Sequence, residues 1–144
     1  MADKQDLEPL LNTQQNLLAT IMSRGDSIDN KSLGIVAVDV TLLIFVAGLS
    51  DLGWWMLAAV APPAISLVFA ALALQSKKYL GASVLLDDFP EYLELNREAL
   101  VLQLLADTQK AITYNQRVNN AHWRMTLTSA AMASFGAIGL LIVL

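Results

Sequence analysis

An aspartate in an otherwise apolar stretch is the residue of this sequence best placed to do chemistry. Asp39 lies within residues 33–49, where Thr41 is the only other polar side chain. A carboxylate inside a membrane span costs at least about 2.5 kcal/mol, and such residues usually face a bundle interior or water. One hypothesis is a ring of Asp39 side chains, one per subunit, that lines a cation path together with Thr41. The alternative is that Asp39 lies within two turns of Leu33, close enough to the inner membrane surface to be hydrated or protonated.

The stretch that must position this aspartate is residues 32–76, which predicts a transmembrane hairpin. Residues 33–49 and 54–74 are the two apolar arms, and the four residues between them predict a tight turn. A hydrocarbon core needs about 20 apolar residues per helix, with about 17 tolerated. Pro62 and Pro63 predict a kink in the second arm, either as a gate or, as we favour, as a purely structural kink.

The distribution of charge predicts the orientation of the hairpin. All nine Lys and Arg residues lie outside residues 32–76, and the turn carries none. Positive residues mark the cytoplasmic side. We therefore expect a cytoplasmic N-terminus and an external turn, with Trp54 and Trp55 as outer interface anchors and Trp123 as the inner one.

Helices are also predicted on both sides of the hairpin. Residues 6–25 have the period of an amphipathic cytoplasmic helix that ends at Gly25. Its polar face consists of Asn and Gln rather than Lys and Arg, which favours packing on another helix of the protein over binding to the lipid surface. Residues 26–31 predict a polar junction with no signal peptide before it. Residues 77–125 predict a cytoplasmic segment whose long helix starts at 88.

The long helix is expected to continue without a break into a third span, residues 126–144, so that the C-terminus emerges outside. Its cytoplasmic part predicts a broken heptad seam for packing on a partner helix: Leu93, Leu100, Leu104, Ala111, Tyr114, Val118 and Ala121. Small residues in the third span predict close helix packing: Ser129, Ala133, Gly136 and Ala137. His122 is interpreted as an interfacial hydrogen-bonding residue, and the Asn115, Gln116, Asn119 and Asn120 patch as a solvated face.

Composition excludes several classes of function. Apolar residues make up 56% of the 144 residues and charged residues 15%, which is typical of a membrane protein rather than a soluble one. There is no cysteine and one histidine, so neither thiolate chemistry nor a multi-histidine metal site within one subunit is available. The net charge of −4 argues against nucleic acid as a partner. We expect one domain, an all-α membrane protein with three transmembrane helices, no cofactor, no metal and no enzymatic activity.

At Ile28-Asp29-Asn30-Lys31 the chain resembles small bacterial transmembrane effectors of anti-phage defence, the membrane effectors of Pycsar-type and related cyclic-nucleotide systems. Asp29 and Lys31 match the Ile-Asp-x-Lys pattern that leads into the first span of those proteins. The order of elements matches over nearly the whole chain, although no nucleotide-sensing module is present. The resemblance implies a homo-oligomer in the bacterial inner membrane, which destroys the membrane barrier when a signal activates it.

Three functions therefore remain open from the sequence. The first is an oligomeric inner-membrane effector in antiviral defence that forms a pore or depolarises the membrane under control of its cytoplasmic helices. The second is a membrane anchor or scaffold that recruits a cytoplasmic protein through its long helix without transport. The third is a small constitutive ion channel or transporter subunit. Membrane lipid is a partner in all three.

Overall fold

The described part of the chain is built from three helices. The computed structural model describes residues 7–49, 55–75, 79–81 and 97–143. Helix α1 is Leu7–Ala47, α2 is Trp55–Leu74 and α3 is Arg97–Val143, and no strand occurs in these ranges. All three helices are long and apolar enough to cross a membrane by length and composition. The predicted all-α membrane protein with three candidate spans is confirmed at this level.

Buried side chains recur every seven residues along each helix. This spacing, with intermediate steps of three and four, is typical of helices that pack along their lengths. In α1 the fully or almost fully buried positions at this spacing are Leu18, Ser32, Asp39 and Val46, and in α2 they are Ala59, Ser66 and Ala73. In α3 one line of seven-residue steps, which we call the polar line, comprises Thr108, Asn115, His122, Ser129 and Gly136.

The contacts divide the chain into two compact units. Unit 1 comprises Met1–Gly25 and Lys78–Asn119, and unit 2 comprises Asp26–Lys77 and Asn120–Leu144. Helices α1 and α3 each contribute residues to both units, and α2 lies wholly in unit 2. The sequence was interpreted as one domain; the contacts group it into these two units.

In unit 1 the N-terminal part of α1 packs on α3. Leu18 and Ile21 of α1 form a buried cluster with Ala111 and Ile112 of α3. Next to it, Gln14 Nε2 donates a hydrogen bond to Gln109 Oε1 at 3.3 Å. The packing of the N-terminal helix on another helix of the chain agrees with the prediction from its uncharged polar face.

The predicted end of this helix at Gly25 is wrong. Helix α1 continues through Gly25 and through the expected polar junction at residues 26–31, and no described glycine has a positive φ. Glycine inside a helix costs only about 0.5–1 kcal/mol relative to alanine. Gly25 serves packing instead: a Cβ there would lie 3.1 Å from Asn119 Oδ1 and would collide with the Tyr79 hydroxyl.

The long helix is confirmed over the part that is described. Helix α3 runs without interruption through the boundary at residues 125 and 126, so one helix connects the charged segment to the third candidate span. Its predicted start at Asp88 lies outside the described residues, as do the turn at 50–53 and Trp54.

The predicted seam of α3 is partly wrong. Ala111 is buried and Leu104 and Val118 are half-buried, but Tyr114 and Ala121 are exposed. Thr108 and Asn115 take the buried positions. These polar residues were excluded from an apolar pattern, although their hydrogen bonds allow them to be buried.

Candidate functional site

Asp39 lies at the centre of unit 2, where all three helices meet. Its side chain is completely buried. One oxygen, Oδ2, is hydrogen-bonded to Ser66 Oγ of α2. The other oxygen, Oδ1, is buried without a hydrogen-bond partner among the described residues. A buried carboxyl oxygen without a partner is costly, and most of all when the group is ionised.

Ser66 connects the aspartate to the third helix. Its Oγ lies 2.8 Å from the Ser129 carbonyl oxygen and 2.9 Å from Ser129 Oγ. Ser129 Oγ in turn donates a hydrogen bond to the Ser66 carbonyl oxygen at 2.9 Å. Asp39, Ser66 and Ser129 therefore form one hydrogen-bonded cluster with a residue from each helix, which we call the Asp39 cluster.

Further polar contacts lie in the same unit. Ser32 Oγ of α1 lies 2.8 Å from Thr126 Oγ1 of α3. Both hydroxyls also reach carbonyl oxygens of their own helices, at Ile28 and His122. Hydroxyls bonded in this way can be buried within a membrane bundle at little cost.

His122 joins α3 to the end of α2. Its Nδ1 lies 2.7 Å from the Ala73 carbonyl oxygen. Because that oxygen can only accept, Nδ1 carries the proton in this contact. The histidine is thus a hydrogen-bonding residue, as the sequence predicted.

Other predicted site residues lie outside the Asp39 cluster. Thr41 is exposed, and its hydroxyl donates to the Ala37 carbonyl oxygen at 2.8 Å. Two helical positions separated by two residues point in different directions, so α1 does not place Thr41 beside Asp39. The ion path lined by Asp39 and Thr41 across subunits stays a prediction.

The two prolines lie inside α2, which continues through both. Pro63 is buried against α3: a Cβ at Gly136 would lie 2.8 Å from Pro63 Cδ. The two helices can approach this closely because position 136 has no side chain. Pro62 is half-buried, and the kink at this place stays a prediction.

The small residues of the third span lie along one face of α3, at the spacing i, i+4, i+7 and i+8. Ser129, Ala133 and Gly136 are buried, whereas Ala137 is half-buried. Ser129 contacts Ser66 of α2, and Gly136 lies against Pro63 of α2. Ser129 and Gly136 therefore pack within one chain.

Lys31 and Trp123 meet at one end of a groove between α1 and α3 of unit 2. The Lys31 ammonium lies 5.0 Å from the centroid of a Trp123 ring, which is within the range of a cation–π contact. The groove has a volume of about 440 Å³ and continues along apolar residues that include Ile35, Val38 and Leu127. Asp29 is half-buried in the same helix, and Trp55 begins α2.

Sequence reasoning missed a polar cluster in unit 1. Asn115 Oδ1 accepts the Leu80 N–H at 3.0 Å, and its Nδ2 donates to the Leu80 carbonyl oxygen at 2.9 Å. Asn119 Nδ2 donates to the Ile21 carbonyl oxygen at 2.6 Å, while its Oδ1 accepts the Tyr79 hydroxyl at 2.7 Å. We call these contacts the Asn cluster.

The interpretation of the asparagine patch as a solvated face is therefore half wrong. Asn115 and Asn119 are buried, whereas Gln116 and Asn120 are exposed. The separation of four residues between the two buried asparagines was the available signal, because it places them on one helix face.

In the described ranges, no group of three or more His, Cys, Asp or Glu side chains could hold a metal ion. Comparison with known protein families, with curated proteins and with solved structures finds no match to this chain. Length and hydropathy of the helices define the class, a helical membrane-spanning protein.

Proposed function

We propose that this chain is a bacterial inner-membrane protein that acts as a homo-oligomer and permeabilises the membrane, by forming a pore or otherwise depolarising it. The observation that carries the proposal is Asp39, a buried carboxyl group inside a candidate span with one oxygen left unpartnered. Ionisable residues in spans are rare and mark ion pathways and proton relays. The wider role, an effector in antiviral defence, rests on the resemblance at residues 28–31.

The arrangement of the Asp39 cluster corresponds to a closed state in this proposal. Asp39 faces Ser66 and Ser129 of its own chain and has no exposed surface. An ion can reach it only after α2 separates from α1 and α3. The contacts that oppose this separation include the Asp39 cluster, the bond from His122 to the Ala73 carbonyl and the close packing of Pro63 on Gly136. Val46 of α1, Ala59 of α2 and Leu140 of α3 add a buried apolar cluster.

Control through the cytoplasmic helices is the second part of the proposal. Helices α1 and α3 are each continuous and contribute residues to both units. In unit 1 the Asn cluster connects both helices with Tyr79 and Leu80, shortly after the end of α2. A signal or protein that binds unit 1 would act on elements that also surround Asp39.

The proposed orientation has the N-terminus in the cytoplasm and the C-terminus outside. It is supported by the basic residues outside the apolar stretches and by the Lys31 contact with Trp123, because basic residues favour the cytoplasmic side and indoles favour the membrane interfaces.

The test is ion flux from liposomes that contain the purified protein. We expect ion flux from the native chain when it is triggered or present at high density in the membrane. The flux should fall at least tenfold in Asp39→Asn, which keeps the size of the side chain but cannot ionise. Asp26→Asn is the matched control, because Asp26 is exposed and lies outside residues 33–49. Equal flux from all three proteins would remove Asp39 from the path, and a monomer without flux under any trigger would overturn the proposal.

A scaffold without transport is the second candidate, and exposed apolar side chains in unit 1 favour it. Leu10, Leu17, Leu102 and Tyr114 are each more than 40% exposed. Exposed apolar residues in a unit outside the membrane can bind a protein partner. This candidate predicts no flux, no effect of Asp39→Asn on function, and loss of partner binding in Leu17→Ser or Leu102→Ser.

Growth separates the effector from a constitutive channel. Expression of a triggered effector arrests growth, whereas a constitutive channel subunit gives steady conductance without toxicity. An arrest that is relieved by Asp39→Asn but not by Asp26→Asn supports the proposed function.

A further inference from the structure

The Asp39 cluster contains more contacts than its two hydroxyl groups have protons to supply. Ser66 Oγ lies 2.8 Å from the Ser129 carbonyl oxygen, and a carbonyl can only accept, so the Ser66 proton belongs in that contact. Ser129 Oγ lies 2.9 Å from both the Ser66 carbonyl oxygen and Ser66 Oγ, so its single proton serves these two contacts. Both serine protons are then used.

The contact between Asp39 Oδ2 and Ser66 Oγ still requires a proton. Within this cluster only the carboxyl group can supply it. With an ionised Asp39, the Ser66 proton would turn to the carboxylate, and the Ser66 hydroxyl and Ser129 carbonyl oxygens would face each other 2.8 Å apart without a proton between them. We propose that the Asp39 cluster is a proton-binding site: in the folded protein Asp39 is a carboxylic acid that donates its proton to Ser66.

The surroundings of the cluster agree with a neutral acid. Residues 33–47 contain no titratable side chain other than Asp39, α2 contains none, and residues 126–143 of α3 contain none. The nearest titratable position on the polar line of α3 is His122, seven residues before Ser129, and its Nδ1 is bonded to the Ala73 carbonyl. No cation of these segments therefore faces Asp39, and an isolated carboxylate in such surroundings would be strongly disfavoured.

Protonation also explains the unpartnered oxygen. In the acid form, Oδ1 is the carbonyl oxygen of a neutral group, whose burial costs much less than that of a carboxylate oxygen. The bound proton thus closes a chain of hydrogen bonds that runs from α1 through Ser66 of α2 to the backbone of α3. Loss of the proton would place a charge between the three helices and would weaken the attachment of α2.

The test is infrared spectroscopy of the protein in lipid at neutral pH. We expect a carbonyl stretch of a buried carboxylic acid that shifts when the protein is made with aspartate labelled by ¹³C at its side-chain carboxyl. The band should disappear in Asp39→Asn and persist in Asp26→Asn. Ser66→Ala should move the band to higher frequency, because the acid then loses the acceptor of its hydrogen bond.

Two outcomes overturn the proposal: absence of a carboxylic acid band in the native protein, and a band that is unchanged in Asp39→Asn. A band that does not move in Ser66→Ala excludes donation to Ser66. The ¹³C shift in the native chain assigns the band to aspartate even where a variant fails to fold. Because the spectrum is recorded without ion flux, the proton site and the proposed permeabilisation succeed or fail separately.

Discussion

The two buried polar clusters of this protein differ in how completely their buried side-chain atoms are hydrogen-bonded. In the Asn cluster of unit 1, the Oδ1 atoms of Asn115 and Asn119 each accept a hydrogen bond and their Nδ2 atoms each donate one. In the Asp39 cluster of unit 2, one carboxyl oxygen has none. Both clusters lie on the same seven-residue repeat of α3, so helix geometry alone does not explain the difference.

This difference distinguishes the asparagine amides, which stabilise the fold, from the Asp39 carboxyl group, which stability alone does not explain. An amide offers donors and an acceptor without a charge, so two backbone groups can give both of its polar atoms a partner. A carboxyl group in the same position brings a charge that must be paired or neutralised. A cluster for stability alone would be better served by asparagine at position 39. The aspartate therefore points to a process that requires ionisation.

The largest loss of stability is expected from Asn115→Ala in unit 1. The variant removes two hydrogen bonds and leaves the N–H and carbonyl of Leu80 without their partners. The two lost hydrogen bonds, at about 0.5–1.5 kcal/mol each, and the cavity left by the fully buried Asn115 side chain together predict a loss of about 3 kcal/mol. Thermal unfolding in detergent micelles measures it, with Gln116→Ala on the exposed face as the control. Equal effects of both variants would show that the Asn cluster does not hold the chain at Leu80.

The second prediction compares the two glycines at close helix contacts. A Cβ in Gly136→Ala meets the rigid ring of Pro63 at 2.8 Å, so α2 and α3 must separate. Such overpacking costs about 1–3 kcal/mol. In Gly25→Ala the obstacle is the end of the Tyr79 side chain, which can move away, and the loss should be smaller.

Gly139→Ala is the control for this comparison because no atom lies within 4 Å of the new Cβ. It should leave stability unchanged or raise it by up to about 1 kcal/mol through helix propensity. The same unfolding assay orders the three variants, and a Gly136→Ala protein as stable as Gly139→Ala would contradict the packing of α2 on α3.

The sequence predicted the elements of this fold better than their contacts. Apolar length and the absence of helix breakers between residues 91 and 135 predicted three spans and the continuity of α3, because backbone hydrogen bonding in lipid leaves little choice. Gly25 was misinterpreted because a glycine that ends a helix and a glycine that allows a close contact are identical in sequence. Its role depends on Tyr79, which is 54 positions away.

The candidate site was predicted only in part, for the same reason. Asp39 is conspicuous because charge is rare in a span, whereas Ser66 and Ser129 are ordinary residues of an apolar helix. Only the packing of α1 against α2 and α3 brings their oxygen atoms together. A periodic pattern of apolar residues also conceals buried polar positions, which is why Thr108 and Asn115 were missed in α3.

The third prediction concerns the central residue of the Asp39 cluster. Ser66→Ala removes the acceptor of the Asp39 proton and the donor to the Ser129 carbonyl. Because the lost groups leave buried partners behind, we expect a loss of about 2 kcal/mol, less than for Asn115→Ala. Ser134→Ala, at an exposed serine that bonds only within its own helix, should change stability by less than about 0.5 kcal/mol. If Ser66→Ala were equally harmless, the cluster would contribute nothing to the attachment of α2.

The smallest effect on stability is expected from Asp39→Asn, which turns the Asp39 cluster into a neutral one like the Asn cluster. The amide can donate to Ser66 as the carboxylic acid does, so the change in unfolding free energy at acidic pH should stay below about 1 kcal/mol. At higher pH the proteins should differ, because a group that holds a proton in the folded state and releases it on unfolding makes stability fall as pH rises. The native chain should therefore lose stability towards alkaline pH while Asp39→Asn does not, which unfolding at a series of pH values measures directly. Parallel curves for the two proteins would mean that Asp39 binds no additional proton on folding. A native chain that gains stability with pH would mean that Asp39 is buried as a carboxylate. A cation in contact with Asp39 would then be needed to explain its burial.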